Sequence, residues 1–181
     1  SFSRFVAGLG SSNRTSSVEF QGLTELSGGK WIRLPKWLIC RGVYNPQYSG
    51  SDEHCFVWAI LRSLYPPPNG LDAKTAKCCS DIEDKYCEVN LPPSIRFPVQ
   101  CNSRTMKAVE DMNDFSISVF LLGQKEYEVR PLYISKNKKP KHVTLGLIED
   151  GKTIHYVSIK ELSRIAAPFK KSKRFFCENC L

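Results

Sequence analysis

The residues best suited to chemistry are one cysteine at a predicted helix start and two histidines on later predicted strands. Residues 51–64 (SDEHCFVWAILRSL) predict a helix, because Asp52 can cap it and apolar residues recur at helical spacing. Cys55 then lies at the third position of the first turn, where unpaired amides and the helix dipole favour a thiolate. The same amides can stabilise an oxyanion. The pattern predicts that Cys55 is a nucleophile rather than a small core residue.

Because the charge of Asp52 disfavours a second anion nearby, the Cys55 thiol still needs a base to take its proton. The candidates are the 3 histidines of the chain. His54 would point about 100° away from Cys55 on a helix, so it is predicted to be an exposed neighbour. His142 opens one strand and His155 lies on the next, in HVTLGLIEDGKTIHYV. If the hairpin brings them together, one imidazole takes the thiol proton and the other orients it. This hypothesis makes Cys55, His142 and His155 catalytic, as in the Cys-His-His hairpin of NlpC-type peptidases.

A second hypothesis makes His155 the base without His142. Tyr156 would then be the aromatic residue that, in many deubiquitinases, follows the catalytic histidine and closes over the Gly-Gly tail of ubiquitin. Asp150 or Asn137 would be the orienting group. A side-chain donor to the oxyanion is expected from the loop before the helix. The candidates in that loop are Asn45 and Gln47.

The elements that must position these groups follow from apolar periodicity. Helical spacing predicts helices at 52–65 and 103–113, the second capped by Ser103 with Met112 facing inward. Alternation predicts strands at 115–121, 128–134, 143–148 and 153–159, with a hairpin turn at 149–152. Ser158 and Glu161 have the form of a capping box that opens a short helix ending at Pro168. Helices followed by strands predict an α+β domain, with the helix that bears Cys55 packed on an antiparallel sheet.

The composition predicts a globular chain rather than a membrane-spanning one. Its 181 residues are 41% hydrophobic and 24% charged, which suits one domain with a sizeable core. No apolar run reaches about 18 residues, and no signal-peptide pattern is present, so we expect an intracellular monomer in the cytoplasm or nucleus. The net charge is +8, with lysine-rich clusters at 136–141 and 170–174. These clusters keep a nucleic acid as an alternative partner.

The cysteine pattern indicates a possible finger at the end of the chain but no metal site within it. Cys177 and Cys180 form a CxxC motif, which is half of a zinc site, and the chain stops one residue later. We therefore expect no bound metal and no cofactor here. The predicted organisation is an N-terminal arm at 1–30, a catalytic domain at 31–169 and the start of a truncated zinc-finger-like tail at 170–181.

Several stretches, taken together and in order, resemble one family. They are RLPKWLICRGVYNP, DEHCFVWAIL, IRFPV, the run from SISVF to VRPLYISK, KHVTLGLI, HYVSIKELSRI and FFCENCL. They resemble proteins of invertebrate virus-like transposons of the Polinton type, often found near protein-primed DNA polymerases. The resemblance covers roughly residues 30–181. Relatives of these proteins are grouped with the large tegument deubiquitinases of herpesviruses, as viral tegument-like deubiquitinases.

The resemblance implies a papain-like fold and cleavage after the C-terminal glycine of ubiquitin. It places the nucleophile on Cys55, and His142 and His155 both match family histidines. The tegument enzymes carry an acid two residues before the base, whereas Pro140 and Thr153 stand at those positions here. The resemblance therefore predicts a deubiquitinase whose third catalytic group is open. The alternatives are a transposon-encoded cysteine peptidase of other specificity and a basic nucleic-acid-binding module that accompanies a polymerase.

Overall fold

The fold is a mixed β-sheet with helices packed on it. The computed structural model describes residues 27–28, 30–48, 52–68, 78–151 and 153–166. The strands are β1 (Ser27–Gly28), β2 (Val43–Tyr44), β3 (Phe115–Leu122), β4 (Val129–Ile134), β5 (Lys141–Asp150) and β6 (Thr153–Ile159). The α-helices are α1 (Cys55–Leu64), α2 (Ser103–Asp111) and α3 (Ser163–Ala166). Short 3-10 helices occupy Lys36–Leu38, Asp52–His54 and Glu83–Glu88. Within these residues, none of the helices has the length and apolar character needed to cross a bilayer.

The strand order β1-β6-β5-β3-β4 makes the sheet mixed, and β2 also pairs with β6. The predicted hairpin of β5 and β6 is antiparallel, as is the β3–β4 pair. The pair β3–β5 is parallel, however, so the predicted antiparallel sheet is wrong at its centre. The reason is that β4 pairs with the outer edge of β3. Strand β5 pairs with the inner edge of β3 and runs in the same direction as β3. The α+β class is confirmed.

The two faces of the sheet carry separate cores. Helix α1 is buried from Cys55 to Arg62 and packs with Ile154 and Tyr156 of β6. On the other face, Val157 of β6 packs with Ile32 and Leu38, which precede β2. Side chains of a strand alternate between faces, so His155 lies on the face opposite to α1.

Several predicted boundaries needed correction. Helix α2 is capped by Asn102, whose side chain accepts from the Thr105 amide at 2.9 Å, and not by Ser103. Met112 is 45% exposed instead of facing inward, because α2 ends before it. The capping box at 158–161 was also wrong: β6 continues to residue 159 because it pairs there with β2, and α3 begins later.

The predicted domain limits are only partly within the described residues. Strand β1, which falls in the predicted arm at 1–30, pairs in parallel with the start of β6. The rest of that arm before residue 27, and the predicted finger at 170–181, lie outside the described residues. At least two residues of the predicted arm, Ser27 and Gly28, are therefore part of the sheet.

Candidate active site

Cys55 is the first residue of α1. The 3-10 turn Asp52–His54 leads into it, and His54 occupies the N-cap position, so Cys55 is two positions nearer the helix start than predicted. The unpaired amides and the positive end of the helix dipole therefore lie beside its sulfur. The side chain is only 4% exposed, and Sγ accepts a hydrogen bond from the backbone amide of Tyr156 at 3.5 Å. The thiol is thereby held between a helix start and the edge of β6.

His155 is the histidine of β6, and its side chain lies on the face of the sheet opposite to α1. It directly precedes the residue whose amide contacts Sγ, and its side chain is completely buried. Its Nε2 lies 2.8 Å from Oδ1 of Asn45, whose Nδ2 donates to the Ile32 carbonyl at 2.8 Å. Burial lowers the pKa of His155 to about 4, against a weaker opposing effect of the Pro46 backbone. The imidazole is therefore neutral at neutral pH.

The remaining ring nitrogen of His155 is available to receive a proton. Nδ1 is buried and has no hydrogen-bond partner of normal geometry among the described residues, although the Pro46 carbonyl lies near enough to the ring to raise its pKa. A catalytic hydrogen bond is often long or poorly aligned before substrate binds, so the arrangement is compatible with a base. The structure brings Asn45 and His155 into contact, and it places the Cys55 sulfur against the amide of the next residue, Tyr156.

His142 lies at the other end of the sheet. Ile148 is the residue of β5 opposite His155, and His142 stands six positions earlier on the same strand. At about 3.4 Å per residue, that separation is roughly 20 Å. Its Nδ1 is 2.7 Å from Oγ of Ser116 on the neighbouring strand β3. The predicted pairing of His142 with His155 was wrong, because a hairpin joins its strands at the turn and His142 is at the far end.

Tyr156 cannot cover a substrate tail in this structure. Its side chain is 1% exposed, its hydroxyl donates to the Val99 carbonyl at 2.9 Å, and its ring packs edge-on against Phe56. The prediction that it closes over the tail of ubiquitin was therefore wrong. The physical cause is strand alternation, which points Tyr156 into the core under α1.

The other predicted orienting and oxyanion groups lie elsewhere. Asp150 is exposed at the hairpin end of β5, opposite Thr153. Asn137 donates from Nδ2 to the buried carboxylate of Glu110 at 3.0 Å, far along the sheet from the thiol. Gln47 lies in the loop after β2, where its backbone pairs with Cys78, and it is partly exposed. Asn45 is the one of these groups that contacts a predicted catalytic residue, and it does so through His155.

His54 is not the exposed neighbour that was predicted. Its ring stacks on Phe97 with centroids 4.0 Å apart, and Nδ1 hydrogen-bonds with the Tyr86 hydroxyl. Tyr86 in turn packs against Trp58, which is 3% exposed and belongs to the core. An aromatic cluster therefore flanks the start of α1 on the side of His54. The sequence held no clear signal of it, because its members come from separate segments.

The other thiols differ sharply from Cys55 in their surroundings. Burial raises the pKa of Cys79 and of Cys101 to about 12, so these two thiols are poor nucleophiles. Cys78 is exposed, and its pKa is lowered chiefly by the Ser80 hydroxyl, 3.0 Å from Sγ. Among the thiols in the described part of the chain, Cys78 is therefore the one most able to compete for small alkylating reagents.

The basic cluster at 136–141 is partly structural. The ammonium of Lys139 donates to the backbone carbonyls of Glu110 and Asn113. Lys136, Lys138 and Lys141 are exposed, while the second cluster at 170–174 lies outside the described residues. One of the four lysines predicted as a footprint for nucleic acid is thus engaged in holding α2 to the sheet.

Groups that could hold a metal are not found in the described part of the chain. There, no set of three histidine, cysteine or acidic side chains is arranged around a common point. Cys177 and Cys180 lie outside the described residues. The chain matches no protein-family model, no curated protein and no solved structure.

Proposed function

We propose that this protein is a cysteine protease in which Cys55 is the nucleophile and His155 the base. The observation that carries the proposal is the position of the Cys55 sulfur, 3.5 Å from the amide that follows His155 at the edge of β6. A thiol at a helix start beside a neutral histidine is the arrangement that nucleophilic catalysis by cysteine requires. A papain-like fold is part of the same proposal.

The reaction follows from the atoms at this edge. Nδ1 of His155 accepts the thiol proton, and the thiolate of Cys55 attacks the substrate carbonyl carbon. Amides of the first turn of α1 stabilise the oxyanion, and the imidazolium then gives its proton to the leaving amine as the C–N bond breaks. Water, deprotonated by Nδ1, hydrolyses the thioester, which releases the carboxylic acid and restores the thiol. Since Cys55 is only 4% exposed, the substrate must displace the side chains that cover it.

The proposed substrate is ubiquitin joined through its C-terminal glycine to a lysine. The resemblance to viral tegument-like deubiquitinases supports this choice. The same resemblance places the nucleophile on Cys55, which is the nucleophile proposed here. The chain is then a deubiquitinase of that family, at work inside the cell where ubiquitin conjugates occur. Its His142 is left out of the mechanism because of its distance from His155.

The test uses ubiquitin with a C-terminal electrophile and intact mass as the readout. We expect one adduct on the wild-type protein and none on Cys55→Ala. His155→Ala should slow adduct formation strongly, whereas His142→Ala is the matched control and should react like wild type. Because Cys78 is the competing thiol, Cys78→Ser should leave the adduct unchanged.

Other outcomes would each overturn a stated part of the proposal. Labelling of Cys55 by a general peptide-based thiol-protease probe, with no ubiquitin adduct, would replace the deubiquitinase by a peptidase of other specificity. An unreactive Cys55 toward both probes in a folded protein would refute the protease itself. Strong and steeply salt-dependent binding of DNA would then favour the nucleic-acid-binding module.

A further inference from the structure

Asn45 stands beside His155 because of how the sheet is built. It follows β2 directly, and β2 pairs with the end of β6 through Tyr44 and Ser158. This pairing carries the chain past the edge of β6 just where His155 lies. The Asn45 side chain is 9% exposed, and both of its polar ends are occupied by partners, His155 and the Ile32 carbonyl.

The orientation of the Asn45 amide follows from these two partners. The Ile32 carbonyl can only accept a hydrogen bond, so the amide nitrogen must face it. Oδ1 then faces His155 and can only accept, which requires the proton of the neutral imidazole to be on Nε2. A flipped amide would set two acceptor oxygens against each other at Ile32. The network therefore selects a single tautomer and leaves the lone pair on Nδ1.

We propose that Asn45 is the positioning residue of His155, and that it makes Nδ1 the basic nitrogen of the site. This inference rests on the proposed function, and it supplies the third member of the catalytic set. The order along the chain is then asparagine, cysteine, histidine, with the positioning residue before the nucleophile. The acid two residues before the base, absent here at Thr153, is replaced by the amide of Asn45, which follows β2.

The Asn45–His155 contact acts through tautomer and orientation. Without Asn45, the imidazole could carry its proton on Nδ1, and a base in that form cannot accept the thiol proton there. It could also rotate away from Sγ, and small misplacements of a reacting group cost about a hundredfold in rate. Binding of substrate should be affected little, because Asn45 is buried behind the ring.

The test measures hydrolysis of ubiquitin with a C-terminal fluorogenic amide by wild type, Asn45→Ala, Asn45→Asp and Cys55→Ala. We expect Asn45→Ala to lower kcat about a hundredfold with KM within about twofold. Asn45→Asp should recover about a tenth of wild-type kcat or more, since a carboxylate still accepts from Nε2–H although it no longer donates to Ile32. Proton–nitrogen correlation spectra of His155 should show Nε2–H in wild type and a mixture in Asn45→Ala.

The outcomes separate this inference from the function on which it rests. Wild-type kcat in Asn45→Ala, with Cys55→Ala inactive, would remove the positioning role and leave the protease. Activity in Cys55→Ala equal to wild type would refute the protease and the positioning role together. A proton on Nδ1 of His155 in the wild-type spectrum would overturn the inference even if Asn45→Ala failed to fold.

Discussion

Removal of the Tyr156 hydroxyl should destabilise the protein without changing its chemistry. Tyr156→Phe removes the hydrogen bond of 2.9 Å to the Val99 carbonyl and the contact of the hydroxyl with the Cys101 thiol, and Tyr156 and Val99 are each 1% exposed. Loss of the partner of a buried acceptor costs about 1–3 kcal/mol. Taking about 2 kcal/mol, a chain of this size should lose about 4–8 °C in Tm. Thermal unfolding followed by circular dichroism measures this shift.

The same variant separates a core role from a substrate role. If Tyr156 is a core residue, kcat/KM for the fluorogenic ubiquitin substrate should stay within about twofold of wild type at a temperature where both proteins are folded. The matched control is Tyr65→Phe, whose hydroxyl bonds to Glu88 at the surface, and its Tm should change little. A higher KM for ubiquitin with an unchanged Tm in Tyr156→Phe would refute the reasoning and restore the role predicted from the sequence.

Three further changes test the packing and electrostatics around the site. Gly146→Ala should cost about 1–3 kcal/mol in urea unfolding, because an added Cβ would lie 2.5 Å from Cδ1 of Leu122. Asp81→Asn should cost about 1–3 kcal/mol in the same assay, because the buried guanidinium of Arg62 loses the charge of its half-exposed carboxylate partner and keeps the Cys78 carbonyl. The free energy of unfolding should fall by about 3 kcal/mol as the pH drops from 6.5 to 4, because burial lowers the pKa of His155 to about 4 and the unfolded chain binds the proton first. His155→Gln should flatten that pH dependence.

Each of these predictions has a control or a contradicting result. For overpacking at Gly146, Val157→Ala should relieve part of the cost, so that the double variant is less destabilised than the sum of the two. For Asp81, the comparison is Asp111→Asn, which breaks an exposed pair with Lys107 and should cost under about 1 kcal/mol. An unchanged pH dependence in His155→Gln would show that another group titrates in this window.

The sequence carries the proposed nucleophile and most of the elements around it. Helix α1 follows from helical spacing and a polar lead-in, which are signals within a few residues, although it begins at Cys55, two positions later than predicted. The strand predicted at residues 153–159 agrees with β6, and the turn before it lies at Gly151, where φ is +61°. These features could be predicted because backbone preferences and alternation act locally.

The tertiary structure decided which of these groups meet. Strand alternation was visible in the sequence, but the face that each side chain takes depends on what packs there, so Tyr156 lies in the core and His155 on the other side. The hairpin register sets His142 far from His155, although both lie on adjacent strands. Asn45 reaches His155 only because β2 pairs with β6, across more than a hundred residues of chain. Such pairings are selected by burial across the whole domain, and no local pattern in the sequence encodes them.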